Sequence, residues 1–186
     1  MAELPPRPVT APRPGYFPKG RIQGMETEFR RAVISDDVRG LRAFDRQVFR
    51  KADLFSTEEW KTYESWWMVV QGVSVGCCAF EANVDFQEDI RADGTNPAIK
   101  GSLYISTTGI LPRFRRSGLG RLFKSWQIAY ARFHGFHRIV TNCRKRNTAI
   151  VDLNKSFGFR IIRTTPRYYS GPTDATVVME RRSSGL

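Results

Sequence analysis

The chain has 186 residues and a formal net charge of +12 at pH 7, and 41% of its residues are hydrophobic. This length and apolar content suffice for one domain with a buried core, and no apolar run approaches the ~20 residues that a membrane-spanning helix needs. The N-terminus is proline-rich rather than apolar, so no signal peptide is visible, and three cysteines without a CxxC pair indicate reduced thiols and a cytoplasmic location.

The chain divides by composition into an arm, a domain and a tail. Residues 1–24 hold most of the ten prolines and few aliphatic residues, a composition that does not offset the entropy cost of ordering. We therefore predict a flexible arm over 1–24, a single domain over 25–182 and a C-terminal tail over 183–186. The first strand is expected to begin at Met25.

Apolar spacing predicts two helices and then a hairpin in the first half of the domain. Val38 to Phe49 carry apolar residues at helical spacing, and Ser56-Thr57-Glu58-Glu59 has the pattern of a capping box that begins a short second helix. β-Branched and aromatic runs predict strands over 66–71 and 73–86, joined by a turn at Gln71-Gly72. A polar loop is expected over 87–100.

The second half continues the alternation. Apolar residues from Leu119 to Phe133 fall on one face of a predicted helix, and Gly135 follows as its C-terminal glycine. Strands are also predicted over 102–111, 138–143, 159–165 and 175–181, with a helix over 147–157. This order predicts an α/β (α+β) domain with a mixed sheet.

Leu111–Phe123, LPRFRRSGLGRLF, packs four arginines around two glycines between a strand and a helix. The first amides of a helix have no internal partners, and the helix dipole adds partial positive charge there. Gly118 and Gly120 let an anion approach the backbone without a Cβ in the way. These features predict a bound phosphate or pyrophosphate, while the absence of GxxxxGK[ST] and GxGxxG excludes a P-loop and a dinucleotide fingerprint.

Residues 109–120, GILPRFRRSGLG, resemble the acetyl-CoA-binding motif of the GNAT superfamily of N-acetyltransferases, and residues 147–159, NTAIVDLNKSFGF, are similar to its second motif. The resemblance implies a mostly antiparallel central sheet flanked by about four helices, and acetyl transfer from acetyl-CoA to a primary amine in a ternary complex. It implies that Ile110 pairs with the pantetheine arm and that Asn147 hydrogen-bonds it. The pyrophosphate would lie against Arg115, Arg116, Ser117, Gly118, Leu119 and Gly120.

The catalytic residues are less clear, because the chain departs from the family pattern. Asn154 stands where many relatives have a tyrosine that acts as general acid; an amide can donate a hydrogen bond to sulfur but cannot protonate it. Tyr168-Tyr169 and the following DATVVM resemble amino-terminal acetyltransferases of ribosomal-protein type, yet these often have a glutamate where this chain has Asn142. Glu81 is a candidate base acting through water, or a solvated surface acid. Tyr168 is a candidate for the acceptor slot, or a cap on the sheet.

The predicted partners are acetyl-CoA, as cosubstrate, and an amine of a small molecule or protein, with protein N-terminal acetylation as an alternative. No metal and no membrane contact are expected. A nucleic-acid-binding module is less favoured, since burial accounts better for the tryptophans, and a non-catalytic acetyl-CoA sensor stays open because of Asn154. Whether two copies pair as a homodimer through the last strand is also left open.

Overall fold

The computed structural model describes residues 21–22, 25–82 and 101–182. In these ranges a single eight-stranded sheet runs in the order β1-β2-β3-β4-β5-β6-β8-β7. Its strands are β1 (Arg21–Ile22), β2 (Met25–Arg31), β3 (Glu64–Val70), β4 (Val73–Ala82), β5 (Ser102–Ile110), β6 (Arg138–Arg144), β7 (Arg160–Tyr169) and β8 (Asp174–Arg182). The helices of the described part are α1 (Ile34–Val48), α2 (Thr57–Thr62), α3 (Leu119–Phe133) and α4 (Thr148–Ser156).

The predicted fold class is confirmed: the sheet is mixed and mostly antiparallel, and the parallel pair is β5 with β6. One difference lies in the N-terminal region. Arg21–Ile22, inside the predicted arm, pairs antiparallel with Met25 and Glu26 as a short strand, because backbone hydrogen bonds order a segment that has few apolar side chains. The rest of the predicted arm, the predicted loop over 87–100 and the tail lie outside the described residues.

The helices cover the two faces of the sheet. On one face, α3 and α4 pack on alternate strand residues such as Met68, Cys78 and Phe80, and on the other, α1 and α2 cover Trp67 and Cys77. Because successive side chains of a strand point to opposite faces, the adjacent thiols Cys77 and Cys78 lie in separate cores. The capping box is also present: the Ser56 hydroxyl accepts from the amide of Glu59, whose carboxylate accepts from that of Ser56.

Helix α3 is buried over a different arc from the predicted one. Phe133 is exposed, while Lys124 and Gln127, which the apolar pattern omitted, are buried. The reason is that α3 contacts the sheet below it and α4 beside it, so its buried arc is wider than the apolar stripe and includes polar side chains. Gly135 adopts a left-handed conformation immediately after the helix, as predicted for its C-terminal glycine.

Strands β5 and β6 part halfway along their length. They pair from Ser102 with Arg138 to Ile105 with Thr141, and β5 then follows β4 to Ile110 while β6 follows β8 to Arg144. At the point of parting the Thr141 hydroxyl donates to the carbonyl of Ile105 over 3.1 Å, which satisfies an acceptor that the ladder no longer reaches. The result is a wedge-shaped opening in the middle of the sheet.

Helix α1 holds the end of β5 in this parted position. A Cβ on Gly109 would lie 2.8 Å from Cγ1 of Val48 and 3.1 Å from the rings of Phe44 and Phe49. The glycine therefore lets the C-terminal end of α1 approach the strand closely, which fixes one edge of the opening.

We predict that Asp45→Asn stabilises the protein at pH 7.5 but not at pH 4. The Asp45 carboxylate in α1 is buried and accepts a hydrogen bond from the amide of Phe55, and burial raises its pKa from 3.8 to about 6. A raised carboxyl pKa means that the folded state holds the proton more tightly, so stability falls as pH rises from about 4 to 6. Asparagine keeps the acceptor oxygen without the charge. We therefore expect the free energy of unfolding at pH 7.5 to rise by about 2 kcal/mol, which corresponds to roughly 5 °C in Tm.

Thermal unfolding of both proteins across this pH range measures the effect. An equal change in Tm at the two pH values would contradict the buried-charge account.

Candidate active site

The N-terminus of α3 presents a run of unused backbone amides. Among the described residues, the amides from Arg116 to Gly120 have no protein acceptor, and intrahelical bonding begins with those of Arg121 and Leu122, which donate to Gly118. Arg116 and Gly118 both have positive φ, 63° and 84°, which turns successive amides toward a common concavity. Such an array, with the helix dipole behind it, is a site for a phosphate group.

Gly120 supports this assignment because the protein's own packing leaves room at that position. A Cβ there would lie 3.6 Å from Cδ2 of Leu153 and 3.9 Å from Cδ1 of Ile110, which are ordinary contacts. The residues at this end of α3 therefore fit a bound anion.

The four arginines of the loop are used differently from the ring of charge that the sequence indicated. Arg115 donates from Nε to the carbonyl of Ile110 over 3.0 Å and from Nη2 to that of Val48 over 3.3 Å, and its amide donates to Pro112. Arg121 contacts the Ser156 hydroxyl and lies over the ring of Phe157. Arg113 lies over Phe114, and only Arg116 has no side-chain partner among the described residues.

Arg115 thus links the loop to β5 and α1, because its polar groups are already bound within the protein. Ser117 is similarly engaged, since its hydroxyl donates to the carbonyl of Phe114 over 2.7 Å, although its amide stays open. Of the four arginines of the loop, Arg116 therefore keeps its side chain available for an anion at the helix end.

Ile110 ends one of the two parted strands, and Asn147 follows the end of the other. The amide of Leu111 donates to Val75 of β4, and because hydrogen-bonding direction alternates along a strand, the amide of Ile110 faces the parted side. Asn147 occupies the N-cap of α4, yet its side chain makes no capping hydrogen bond. An exposed asparagine amide that does not cap its own helix is available to a ligand.

Asn154 lies deeper in the α3 and α4 face. Its side chain is 1% exposed, its Nδ2 donates to Sδ of Met179 over 3.7 Å, and its Oδ1 accepts no hydrogen bond. The unsatisfied group is therefore an acceptor, whereas the sequence led us to expect a donor to sulfur. A buried acceptor without a partner is costly unless a ligand supplies the donor.

On the opposite face of the sheet, a hydrogen-bonded network spans the start of the opening. The Tyr104 hydroxyl on β5 donates to Oδ1 of Asn142 on β6 over 2.5 Å, and Nδ2 of Asn142 donates to the Tyr169 hydroxyl over 3.1 Å and to Oγ1 of Thr176 over 3.4 Å. Tyr168 packs edge-on to Tyr169 and covers Val140 and Val178. We call Tyr104, Asn142, Tyr168 and Tyr169 the tyrosine network.

Tyr104 and Tyr169 of this network keep their protons at neutral pH. Burial raises the pKa of Tyr104 well above its usual value, and burial also raises that of Tyr169 to about 12. Their hydroxyls can therefore donate and accept hydrogen bonds but do not act as bases. Glu81 lies directly across from Tyr104 in the β4–β5 ladder, on the same face, which makes it the nearest acid of β4 to the network.

Arg144 holds the β7–β8 turn over the tyrosine network. It forms a bidentate pair with Asp53 over 3.1 and 2.7 Å, donates to the carbonyls of Pro172 and Ser170, and lies 4.3 Å from the ring centroid of Tyr169. These contacts join β6, the short 3₁₀ turn after α1 and the β7–β8 turn. Arg146 adds a second ion pair in the same place, with Asp174 at the start of β8.

Sequence reasoning missed Tyr104, Lys124 and the contact that Arg144 makes with Asp53. Tyr104 is detectable only from strand alternation, which places it beside Glu81, and Lys124 only as a charge that interrupts the apolar side of α3. The contact of Arg144 with Asp53 spans 91 positions and has no local signal. Among the described residues, no group of three His, Cys, Asp or Glu side chains is arranged to hold a metal ion. No helix of the described part is long and apolar enough to cross a membrane.

Comparison with known proteins gives the family of this chain. The model of the acetyltransferase (GNAT) family matches residues 35–159. The chain belongs to this family.

Individual relatives agree with this assignment. N-alpha-acetyltransferase 50 of Danio rerio is 33% identical over 81 residues, which are 42% of this chain and 48% of that protein, so the match spans about half of the relative. The ribosomal-protein-S18-alanine N-acetyltransferase of Escherichia coli has the same fold, with a TM-score of 0.69 at 15% identity over 86% of this chain and 96% of that one. A Salmonella typhimurium structure described as an acetyltransferase with its cofactor acetyl-CoA has a TM-score of 0.64 at 19% identity, over the same shares.

We predict that Gly120→Ala weakens acetyl-CoA binding at least 10-fold while the protein stays folded. The new Cβ has room within the protein, but it occupies the space that a phosphate oxygen needs to reach the amides. Isothermal titration with acetyl-CoA measures the loss, and thermal unfolding reports the fold.

Gly40→Ala in α1 is the matched control. Its Cβ would also meet a neighbour at 3.6 Å, here Cζ2 of Trp67. Each of the two substitutions raises helix propensity, which stabilises the helix by up to about 1 kcal/mol. Unchanged acetyl-CoA affinity in Gly120→Ala would remove the phosphate site from this helix end.

Proposed function

We propose that this protein transfers the acetyl group of acetyl-CoA directly to the α-amino group at the N-terminus of a peptide or protein. The observation that carries the proposal is the tyrosine network, a set of tyrosine hydroxyls and one amide at the opening of the sheet. Acetyl-CoA, when bound, supplies a thioester whose carbonyl carbon accepts the amine.

The arrangement of the opening supports direct transfer. The open amides of α3 lie on one face of the sheet, and the tyrosine network lies on the other. The gap between β5 and β6 connects these two faces. A donor held by Arg116, Gly118, Gly120 and Asn147 can therefore meet an acceptor on the far side without a covalent protein intermediate. The amide of Ile110, which faces the opening, is the candidate donor to an oxyanion.

The cysteines give further support for direct transfer. Cys77 and Cys78 are fully buried, and burial raises the pKa of both thiols, while that of Cys143 is raised to about 11. None of these thiols forms a thiolate readily at neutral pH, so none is suited to carry the acetyl group as a nucleophile.

The chemistry of the acceptor face favours an α-amine over a lysine side chain. An α-amine has a pKa near ~8 and a lysine near ~10.4, so the lysine needs a stronger base to lose its proton. The hydroxyls of Tyr104 and Tyr169 and the amide of Asn142 are neutral, and Glu81 lies one strand away, where it can take a proton through water. Such a site suits an amine that is already partly neutral near pH 8.

The braced β7–β8 turn also favours a chain end as acceptor. Arg144 and Asp53 hold this turn against the 3₁₀ turn after α1, and a Cβ on Gly171 would lie 3.6 Å from that of Ala52. The acceptor must approach the tyrosine network past this closed contact. Tyr168 is proposed to line that approach, while Asn154 offers an acceptor at the far end of the opening.

The names of the relatives are consistent with this acceptor class. One acts, by its name, on α-amines and another on the alanine of a ribosomal protein. This chain shares Tyr168-Tyr169 and the following strand with the pattern described above for the second type.

A pair of peptides tests the acceptor. The first peptide has a free N-terminus and an internal lysine, and the second is the same peptide with its N-terminus blocked. We expect acetylation of the N-terminus in the first peptide to be at least 10-fold faster than acetylation of the lysine in the second. Release of free CoA thiol gives the rates, and mass spectrometry gives the modified site. Turnover of the blocked peptide alone, or of polyamines alone, would overturn the proposal.

We predict that Tyr104→Phe lowers kcat/KM for the peptide about 10-fold, because Asn142 loses the hydrogen bond that orients it. The KM for acetyl-CoA should not change, since Tyr104 lies on the acceptor face. Steady-state kinetics with each substrate varied separates the two effects.

Tyr130→Phe is the matched control, because Tyr130 is a buried tyrosine of α3 in the core of the opposite face. It should lose stability with little change in kcat/KM. Equal kinetic losses in the two variants would show that the tyrosine network acts only through folding.

A further inference from the structure

Lys124 is a buried cation that the proposed function does not use. Its residue is 5% exposed, on the side of α3 that faces the sheet, and its Nζ lies 5.2 Å from the ring centroid of Phe159. No described carboxylate forms an ion pair with it. Burying an unpaired ammonium costs free energy, and methionine or leucine would fill the same volume without that cost.

Its neighbours place Lys124 at the opening of the sheet. Two titratable groups act on its charge, the thiols of Cys78 on β4 and Cys143 on β6. Cys78 pairs with Thr108 in the ladder, and Cys143 lies two residues beyond Thr141, so both are past the last β5–β6 pair. These strands lie on either side of β5, and Lys124 therefore faces the sheet where β5 and β6 have already separated.

The other contacts fix the helix at this level. Gln127, three residues further along α3, donates to the Thr108 hydroxyl over 2.7 Å, which ties the helix to the parted end of β5. The segment after α4 contributes the ring of Phe159, and α4 contributes Asn154, whose Oδ1 is unsatisfied. Lys124 and Asn154 thus belong to the same core, beneath the opening.

The chemistry of acetyl transfer leaves a place for such a group. The leaving thiolate of CoA needs a proton, and Asn154 cannot supply one. Burial lowers the pKa of Lys124 from 10.5 to about 8, which brings it close to the value of about 8.5 of a cysteine thiol. A donor and acceptor of similar pKa exchange a proton readily near neutral pH.

We propose that Lys124 is the proton donor to the sulfur of CoA as it leaves, an inference that rests on the proposed function. As the acceptor nitrogen bonds to the acetyl carbon, the carbon–sulfur bond breaks and its electron pair stays on sulfur. An Nζ proton of Lys124 passes to sulfur to give the thiol of free CoA. Lys124 then regains a proton from water, while the acceptor nitrogen loses its own protons toward Glu81 and solvent.

The test uses the whole protein and measures the pKa of the thiol of bound CoA. The ultraviolet absorbance of the CoA thiolate, followed as pH changes, gives this pKa. Because a neighbouring cation favours the thiolate, we expect the pKa of the bound thiol to lie about one unit or more below that of free CoA. In Lys124→Met the fall should be absent, and in Lys61→Met, an exposed lysine paired with Glu58, it should persist. Desulfo-CoA, which lacks the sulfur, should bind Lys124→Met and the unaltered protein equally.

Kinetics give a second, independent measurement. The kcat of the unaltered protein should fall as pH rises through about 8, because Lys124 then loses the proton it must donate. Lys124→Met should lower kcat about 100-fold and remove this fall, with KM for acetyl-CoA unchanged. Lys124→Arg should keep the lowered thiol pKa but not the rate, since a guanidinium keeps its proton.

The outcomes separate this inference from the proposed function. If the unaltered protein binds CoA with an unshifted thiol pKa, Lys124 is not beside the sulfur and the inference is overturned, whether or not Lys124→Met folds. Equal thiol pKa values in the unaltered protein and a folded Lys124→Met also overturn it. Failure of the unaltered protein to bind CoA or acetylate any peptide would instead contradict the proposed function.

Discussion

The site depends on the parting of β5 and β6 after Ile105 and Thr141. Each strand keeps its other neighbour, so the separation costs the protein few hydrogen bonds, and the Thr141 hydroxyl satisfies the carbonyl at the fork. The separation exposes a short stretch of strand edge inside the protein and connects the two faces of the sheet. Without it, the amides of α3 and the tyrosine network would be divided by a continuous sheet.

Positive charge around this opening has several distinct uses. Arg115 and Arg144 are fixed by backbone carbonyls and by Asp53, so they brace the phosphate loop and the β7–β8 turn. Arg116 remains without a side-chain partner in the described ranges, at the helix end, and Lys124 is buried beneath the fork. A net charge of +12 favours an anionic partner, but the positions of these side chains decide which cations can meet it.

The sequence predicted those parts of the molecule that local chemistry determines. The capping box at Ser56, the glycine after α3 and the loop before it follow from residues that lie close together in the chain, and the structure has all three. The roles assigned to Asn154, Glu81 and Tyr168 stay predictions. Contacts between distant segments could not be predicted, because the hydrogen bond of Tyr104 with Asn142 and the pairing of Arg144 with Asp53 depend on strand order. Lys124 was missed for a related reason: the width of the buried arc of α3 depends on α4.

The most direct test of the account is an amide NMR titration of the protein with CoA. We expect the amides of Gly118 and Gly120 to shift downfield at saturation, together with that of Ile110 across the opening, because each gains a hydrogen-bond acceptor. If the signals of these amides do not shift while those of residues elsewhere on the protein do, the helix end and the parted strands do not form the acetyl-CoA site.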